Sequence, residues 1–209
     1  MGKLLFILAT VLGAALSLPA AGQDNAPDVM VKTVTNDVLA IVREDKDIQS
    51  GSTKRAIELV EQKVLPHFNF TRMTQLAVGR DWRQASPEQQ KQLVAEFKTL
   101  LVRTYSNALT GYRNQVISFK PTRFQPSDTE VTVRTEVKQP GAQPVSIDYS
   151  LQKEADSWKV YDVVVANVSL VTNYRESFAA EVRSGGIEGL IKALQNRNKS
   201  LEAKAAEKS

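Results

Sequence analysis

Thr129-Glu130-Val131-Thr132-Val133-Arg134-Thr135-Glu136-Val137-Lys138-Gln139 decides the fold class. Val131, Val133, Thr135 and Val137 alternate with Thr132, Arg134, Glu136 and Lys138. That two-residue period is a strand with one dry and one wet face. Pro140-Gly141 is a turn, and beyond it Val145, Ile147, Tyr149 and Leu151 alternate with Ser146, Asp148, Ser150 and Gln152. Upstream, Val116–Phe124 reads as another strand, closed by the turn Gln125-Pro126-Ser127-Asp128. Downstream, the turn Glu154-Ala155-Asp156-Ser157 leads into Trp158–Ala166. Hairpin links make neighbours antiparallel, so a four-stranded antiparallel meander is expected. Val160-Tyr161-Asp162-Val163-Val164-Val165 is apolar on both faces, which predicts a strand covered on both sides.

Helical periods flank the meander. After a polar linker, Pro27 can open a helix carrying Val31, Val34, Val38 and Ile41. A second helix carries Ala56, Leu59, Val60 and Val64 and ends at Leu65-Pro66. Phe68 to Val78 follows, with Gly79 as C-cap. Ser86-Pro87-Glu88-Gln89 is a capping box, and its helix shows the stripe Leu93, Phe97, Leu100, Leu101, Tyr105, Ala108 and Leu109. After the meander, Ser169–Arg183 carries Val171, Tyr174, Phe178 and Val182. Ser184-Gly185-Gly186 breaks it, Ile187–Leu194 resumes, and a charged tail from about residue 196 is expected to fray. Helices, then sheet, then helices is an α+β order.

Residues 1–22 read as a cleaved export signal: Lys3, the apolar run Leu4 to Leu12, then small residues up to Ala20-Ala21-Gly22. The run falls short of the ~20 residues that span a bilayer. Residues 23–209 are expected to form a single exported, soluble domain. The net charge of +4 is spread over 27 basic and 23 acidic residues with no long block of one sign, which argues against a nucleic-acid groove.

No cysteine and a single histidine, His67, exclude thiol catalysis and Cys-ligated zinc, and no metal site is expected. GxGxxG, GxxxxGK[ST], HExxH and GxSxG are all absent. Asp162, flanked by Tyr161 and Val163, is the best candidate for acid–base work, because a carboxyl in apolar surroundings can be tuned for it. The alternative is that it accepts backbone hydrogen bonds. Arg72, Arg80 and Arg83 crowd around Trp82 and could meet a phosphate or rim a buried Trp.

An ordered set of short motifs carries a resemblance. Leu65-Pro66-His67-Phe68-Asn69-Phe70 precedes Ala77-Val78-Gly79-Arg80-Asp81-Trp82-Arg83-Gln84-Ala85-Ser86-Pro87-Glu88-Gln89, then Thr104-Tyr105-Ser106-Asn107-Ala108-Leu109. Trp158-Lys159-Val160-Tyr161-Asp162-Val163, Asn167-Val168-Ser169-Leu170-Val171 and Asn173-Tyr174-Arg175 follow downstream. In order and spacing the chain resembles the MlaC, or toluene-tolerance, family of periplasmic phospholipid-binding proteins. Asn69 stands where that pattern has Asp, and Asn167 where it has Gly.

The resemblance implies helices around a twisted sheet with an apolar cavity between them. It implies a Gram-negative periplasmic protein that is not an enzyme and needs no cofactor, with a glycerophospholipid as cargo. It implies shuttling, as a monomer, between an outer-membrane lipoprotein complex and an inner-membrane ABC lipid-transport complex. On that frame the acyl-chain contacts are expected at Met73, Leu76, Phe97, Leu101, Tyr105 and Leu109 from the helices. Tyr149, Tyr161, Val163, Val165, Val168 and Val171 are expected from the sheet and just after it. Arg80 and Arg83 are candidates for the headgroup or for docking. The competing function is an exported small-molecule enzyme using Asp162.

Overall fold

Alternation in the sequence becomes register in the sheet. In a computed structural model that describes residues 26–206 apart from residue 156, five strands pair antiparallel in the order β1 to β5. They are β1 (Val116–Phe119), β2 (Glu130–Lys138), β3 (Val145–Glu154), β4 (Ser157–Val165) and β5 (Val168–Ser169). Helices α1 (Pro27–Glu44), α2 (Lys46–Gln49), α3 (Thr53–Lys63), α4 (Phe70–Val78) and α5 (Pro87–Tyr105) precede the sheet, and α6 (Leu170–Ala206) follows it. The expected export signal lies outside the described residues. The α+β order therefore holds, with a two-residue fifth strand too short for alternation to signal.

The register of β4 shows how its apolar run is shared between two faces, with Tyr161 packing against the helices and Trp158, Val160 and Val163 against the sheet's own cluster. Leu151 pairs with Val160 and Ser150 pairs with Asp162, so Tyr161 is an extra residue in a β-bulge. The pleat slips by one there. Trp158 and Val160 before the bulge and Val163 after it share one buried cluster with Val131, Val133 and Leu151. Tyr161 leaves that face, and its hydroxyl donates to Glu130 Oε2 at 3.1 Å.

The β4–β5 link is a two-residue hairpin, Ala166-Asn167, with φ of 48° and 66°. Positive φ at both positions matches the right-handed strand twist. Asn167 thus supplies at this turn the conformation expected of it. Further along the same edge of β4, Asn69 N donates to Val160 O at 2.9 Å and Phe68 bridges to Val160. The exposed edge is thereby closed by the segment between α3 and α4.

Helix ends follow their capping chemistry. Ser86 and Gln89 close the capping box on α5. Asn69 caps α4 by accepting from Arg72 N at 2.8 Å, a role that needs an acceptor and no charge. Within α6, Gly185 and Gly186 leave helical geometry, with Gly186 at φ 64° and ψ −167°. The helix folds back there into two arms, residues 170–184 and 187–206. Both arms pack on α5: Phe97 meets Tyr174 and Phe178, while Asn198 Nδ2 donates to Glu96 O at 3.0 Å. Arg103 binds Asn198 O at 2.6 Å and Glu202 at 3.2 Å. The tail expected to fray from about residue 196 is therefore helical to Ala206, because Asn198, only 4 % exposed, anchors it.

The apolar interior is divided. A helical cluster gathers Met73, Ala77, Leu93, Phe97, Leu100, Leu101, Phe178, Leu190 and Ile191 from α4, α5 and α6. The sheet cluster takes Val31 of α1 onto the dry face of β2 to β4. A third joins Val38, Leu39, Val42, Ile48, Leu59 and Tyr112.

Candidate functional site: a cavity beside the turn between α3 and α4

Residues 64–70 join these clusters. Val64 packs against the third cluster, Phe68 against both the helical and the sheet clusters, and Phe70 against the helical one. Pro66 ends the helical run because it cannot continue the hydrogen-bond ladder, and Leu65–His67 tightens into a 3-10 turn. Phe68 and Phe70 stack at 5.8 Å between centroids. Lys159 Nζ donates to Pro66 O and Asn69 Nδ2 to Glu154, which fastens the segment to β3 and β4. His67 is half-buried there. Burial, aided by the Lys159 charge, pushes its pKa below the ordinary imidazole value.

A cavity of about 440 Å³ opens at this junction, lined by Glu61 of α3, Leu65 and Pro66 of the turn, Phe70 of α4 and Lys98 of α5. Its volume falls in the range of small-molecule sites. Three apolar walls and two charges at the lip suit a molecule with an apolar body and a polar end.

None of the residues expected to contact acyl chains or headgroup lines this cavity. Met73, Phe97, Leu101 and Val171 lie in the helical cluster, with Leu76 half-buried against it. Phe97, Tyr174 and Phe178 form a triangle of rings with centroids 5.1, 5.1 and 5.5 Å apart. Burial, reinforced by neighbouring Tyr105, pushes the Tyr174 phenol up to about 12. Val163 lies in the sheet cluster, with Tyr149 and Val165 packed against it, and burial raises the Tyr149 phenol. Leu109 packs on the third cluster. Tyr105 and Val168 are exposed.

Tyr161 sits under Arg72, whose guanidinium carbon is 3.7 Å from the ring centroid. Arg72 also binds Glu130 at 2.6 Å and Gln152. This pairing holds the Glu130 carboxyl below its usual range, and burial with the Glu130 charge raises the Tyr161 phenol. Arg72 is thus committed to the sheet, whereas Arg80 and Arg83 are exposed on the 3-10 turn Gly79–Gln84 and apart from the cavity lining.

Asp162 accepts from Ser169 Oγ at 2.6 Å, Val163 N at 2.9 Å and Val171 N at 3.2 Å. Ser169 and Val171 stand at the N-terminus of α6, where a carboxylate is favoured by the helix dipole, and Val163 is on β4. The carboxylate is occupied in joining β4 to α6, which is the hydrogen-bonding alternative and not acid–base chemistry. Among the described residues no cluster of acidic or histidine side chains could hold a metal, and no helix is long and apolar enough to cross a membrane.

A family profile described as MlaC protein matches residues 32–196. The chain belongs to the MlaC family. It is 24% identical over 192 residues to the Haemophilus influenzae intermembrane phospholipid transport system binding protein MlaC, covering 90% of each chain. Toluene tolerance protein ttg2D of Pseudomonas putida is 23% identical, over 86% of this chain and 82% of that one. Among solved structures, the phospholipid-binding protein of Ralstonia solanacearum, in complex with a phospholipid, is 42% identical. It superimposes with a TM-score of 0.78 and matches 84% of this chain and 98% of that one. The α+β expectation and the MlaC resemblance are thus borne out.

The lining residues were partly within reach of the sequence. Leu65, Pro66 and Phe70 belong to the motif that carries the resemblance. Nothing in the pattern marked Glu61 or Lys98, which sit on the polar faces of α3 and α5.

Proposed function

We propose that this MlaC-family protein is a non-enzymatic periplasmic carrier of glycerophospholipid. It passes its cargo, as a monomer, between an outer-membrane lipoprotein complex and an inner-membrane ABC lipid-transport complex. The observation that carries the reading is the 42% identity, over nearly the whole of that chain, to the phospholipid-bound Ralstonia protein. The cavity beside the turn between α3 and α4, with Leu65, Pro66 and Phe70 as its apolar walls, supports it.

Physical chemistry sets the demand. About 30 methylenes at ~0.8 kcal/mol each put a bare two-chain lipid in water ~20 kcal/mol or more above its membrane state. A carrier offsets most of that by enclosing the chains. The cavity of about 440 Å³ is open on one side and does not by itself enclose two chains. Enclosing them requires the cores to part along the seam that Phe68 bridges. Met73, Leu76, Phe97, Leu101 and Val171 then face the chains from the helical side, and Tyr149, Tyr161, Val163 and Val165 from the sheet. Leu109 lines the third side, while Tyr105 and Val168 contact lipid at the surface. Arg80 and Arg83 remain candidates for docking.

Extraction and mass spectrometry of protein purified from a Gram-negative host are expected to give about one phospholipid per chain. Protein that is lipid-free, and stays so after incubation with labelled vesicles, overturns the reading.

A further inference from the structure

Among the described residues, Phe68 alone packs against both the helical and the sheet clusters. One half-buried ring is a thin apolar tie between two bodies. A polar clasp stands beside it. Arg72, in the first turn of α4, bonds Glu130 of β2 at 2.6 Å and Gln152 of β3, and its guanidinium carbon lies 3.7 Å from the ring centroid of Tyr161 on β4. Asn69, which caps the same turn, donates to Glu154 of β3. One arginine thus spans three strands. The β4 bulge makes this possible, since it turns Tyr161 out of the sheet cluster and toward the helices. Glu130, Gln152 and Lys159 form one row across the sheet. The clasp therefore sits near the start of β4, away from Val165, where the chain passes through β5 into α6.

We propose that Arg72 is the clasp of this seam: it holds α4 on the sheet, and its release sets how fast cargo enters and leaves. The inference rests on the carrier reading and deepens it by naming the residue that controls exchange. Arg72 is a positioning residue that acts on the cargo through the seam.

The physical reason is that a lipid compensates one kind of tie and not the other. An acyl chain entering the seam replaces one apolar neighbour by another, so the Phe68 contacts cost little to exchange. The chain offers nothing to a guanidinium or a carboxylate. The ion pair and the stacked cation are therefore what the opening step has to break. Arginine suits the position because its planar fork binds a carboxylate and an amide oxygen while its face lies on a ring. Glu130 is exposed, so salt reaches the pair and the barrier it sets is modest.

The test is transfer of a fluorescent phospholipid from loaded protein to vesicles, with the thermal midpoint measured alongside. Arg72→Ala is expected to speed release about ten-fold, and Arg72→Lys and Glu130→Gln roughly two- to five-fold. Raised salt speeds the original protein and leaves Arg72→Ala unmoved. Arg103→Ala is the control, because Arg103 likewise binds two partners, Asn198 O and Glu202, but both lie within the helical body. It lowers the thermal midpoint and leaves the release rate as it was. If Arg72→Ala fails to fold, the milder Arg72→Lys and Glu130→Gln carry the same comparison. Release from the Arg72 and Glu130 variants within about two-fold of the original, or raised equally by Arg103→Ala, overturns the inference and spares the carrier reading. An original protein that loads no phospholipid overturns both.

Discussion

Replacing Asp162 by Ala removes one acceptor group from three donors at once: Ser169 Oγ, Val163 N and Val171 N. Val171 N is in the first turn of α6, where four amides have no partner within the helix. Ser169 already serves Thr172 N at 3.0 Å, so Asp162 provides the second half of the cap. Loss of a cap costs about 1 kcal/mol. The carboxylate's interaction with the helix dipole adds about 0.5 to 1 kcal/mol. The donors left stranded, Val163 N on the bulged strand and Ser169 Oγ, bring the sum to about 2 to 3 kcal/mol. With a urea m-value of ~2 kcal/mol/M, the midpoint falls by roughly 1 to 1.5 M. Asp162→Asn keeps an acceptor oxygen and loses the charge, so about half that shift is expected. The assay is urea unfolding followed by far-ultraviolet circular dichroism at pH 7, with lipid content matched between variants because bound cargo adds stability. A midpoint shift below about 0.3 M for Asp162→Ala refutes the assignment of this carboxylate to the β4–α6 joint.

Two further expectations concern the fold-back in α6 and the junction. Gly186→Ala forces a side chain into φ 64°, ψ −167°, a region almost reserved for glycine, at a point with nothing within 4 Å of the added carbon. The cost is all backbone, about 1 to 3 kcal/mol, and is read as a drop of several degrees in the thermal midpoint; an unchanged midpoint means the arms can turn without that geometry. His67 gives the chain's sole imidazole resonance, and its titration midpoint is expected below the ordinary value of about 6.5. The unfolded chain takes up that proton first, so stability declines as pH falls through about 6.5 and on toward the lower folded midpoint. His67→Gln removes this component of the slope, and a midpoint at or above the ordinary value contradicts the burial assigned to the ring.

How much of this was legible in the sequence depended on whether a pattern is local. Alternation in Thr129–Gln139 gave β2 because each residue's face is set by its neighbours. The capping box at Ser86 gave the start of α5 for the same reason. Alternation failed at Tyr161, because a bulge inserts one residue and swaps the phase of everything before it. The unbroken apolar run marked a strand packed on both sides and hid where the phase changes. The fate of the C-terminal tail was not local either. Asn198 and Glu202 look like solvated helix residues until Arg103 and Glu96, a hundred positions earlier, are brought against them. The cavity was missed for a third reason. Helical periodicity identifies faces that are buried, and a lip is made of residues on polar faces that the tertiary fold turns toward a shared gap.

Residues 64–70 act as an axle between three separately packed bodies. Most of the free energy of the fold sits inside the bodies, in side chains such as Phe97, Leu151 and Ile48 that have no exposure at all. Phe68, half-buried, packs against both the helical and the sheet bodies, and Val64 of the same segment packs against the third. Fully burying one such side chain is worth about 1.5 to 3 kcal/mol, and these are only partly buried. Breathing along a seam is therefore a matter of a few kcal/mol, against about 5 to 15 for melting a whole domain. The molecule can swell around an oily guest and close behind it while its amide protons deep in each body stay protected from exchange.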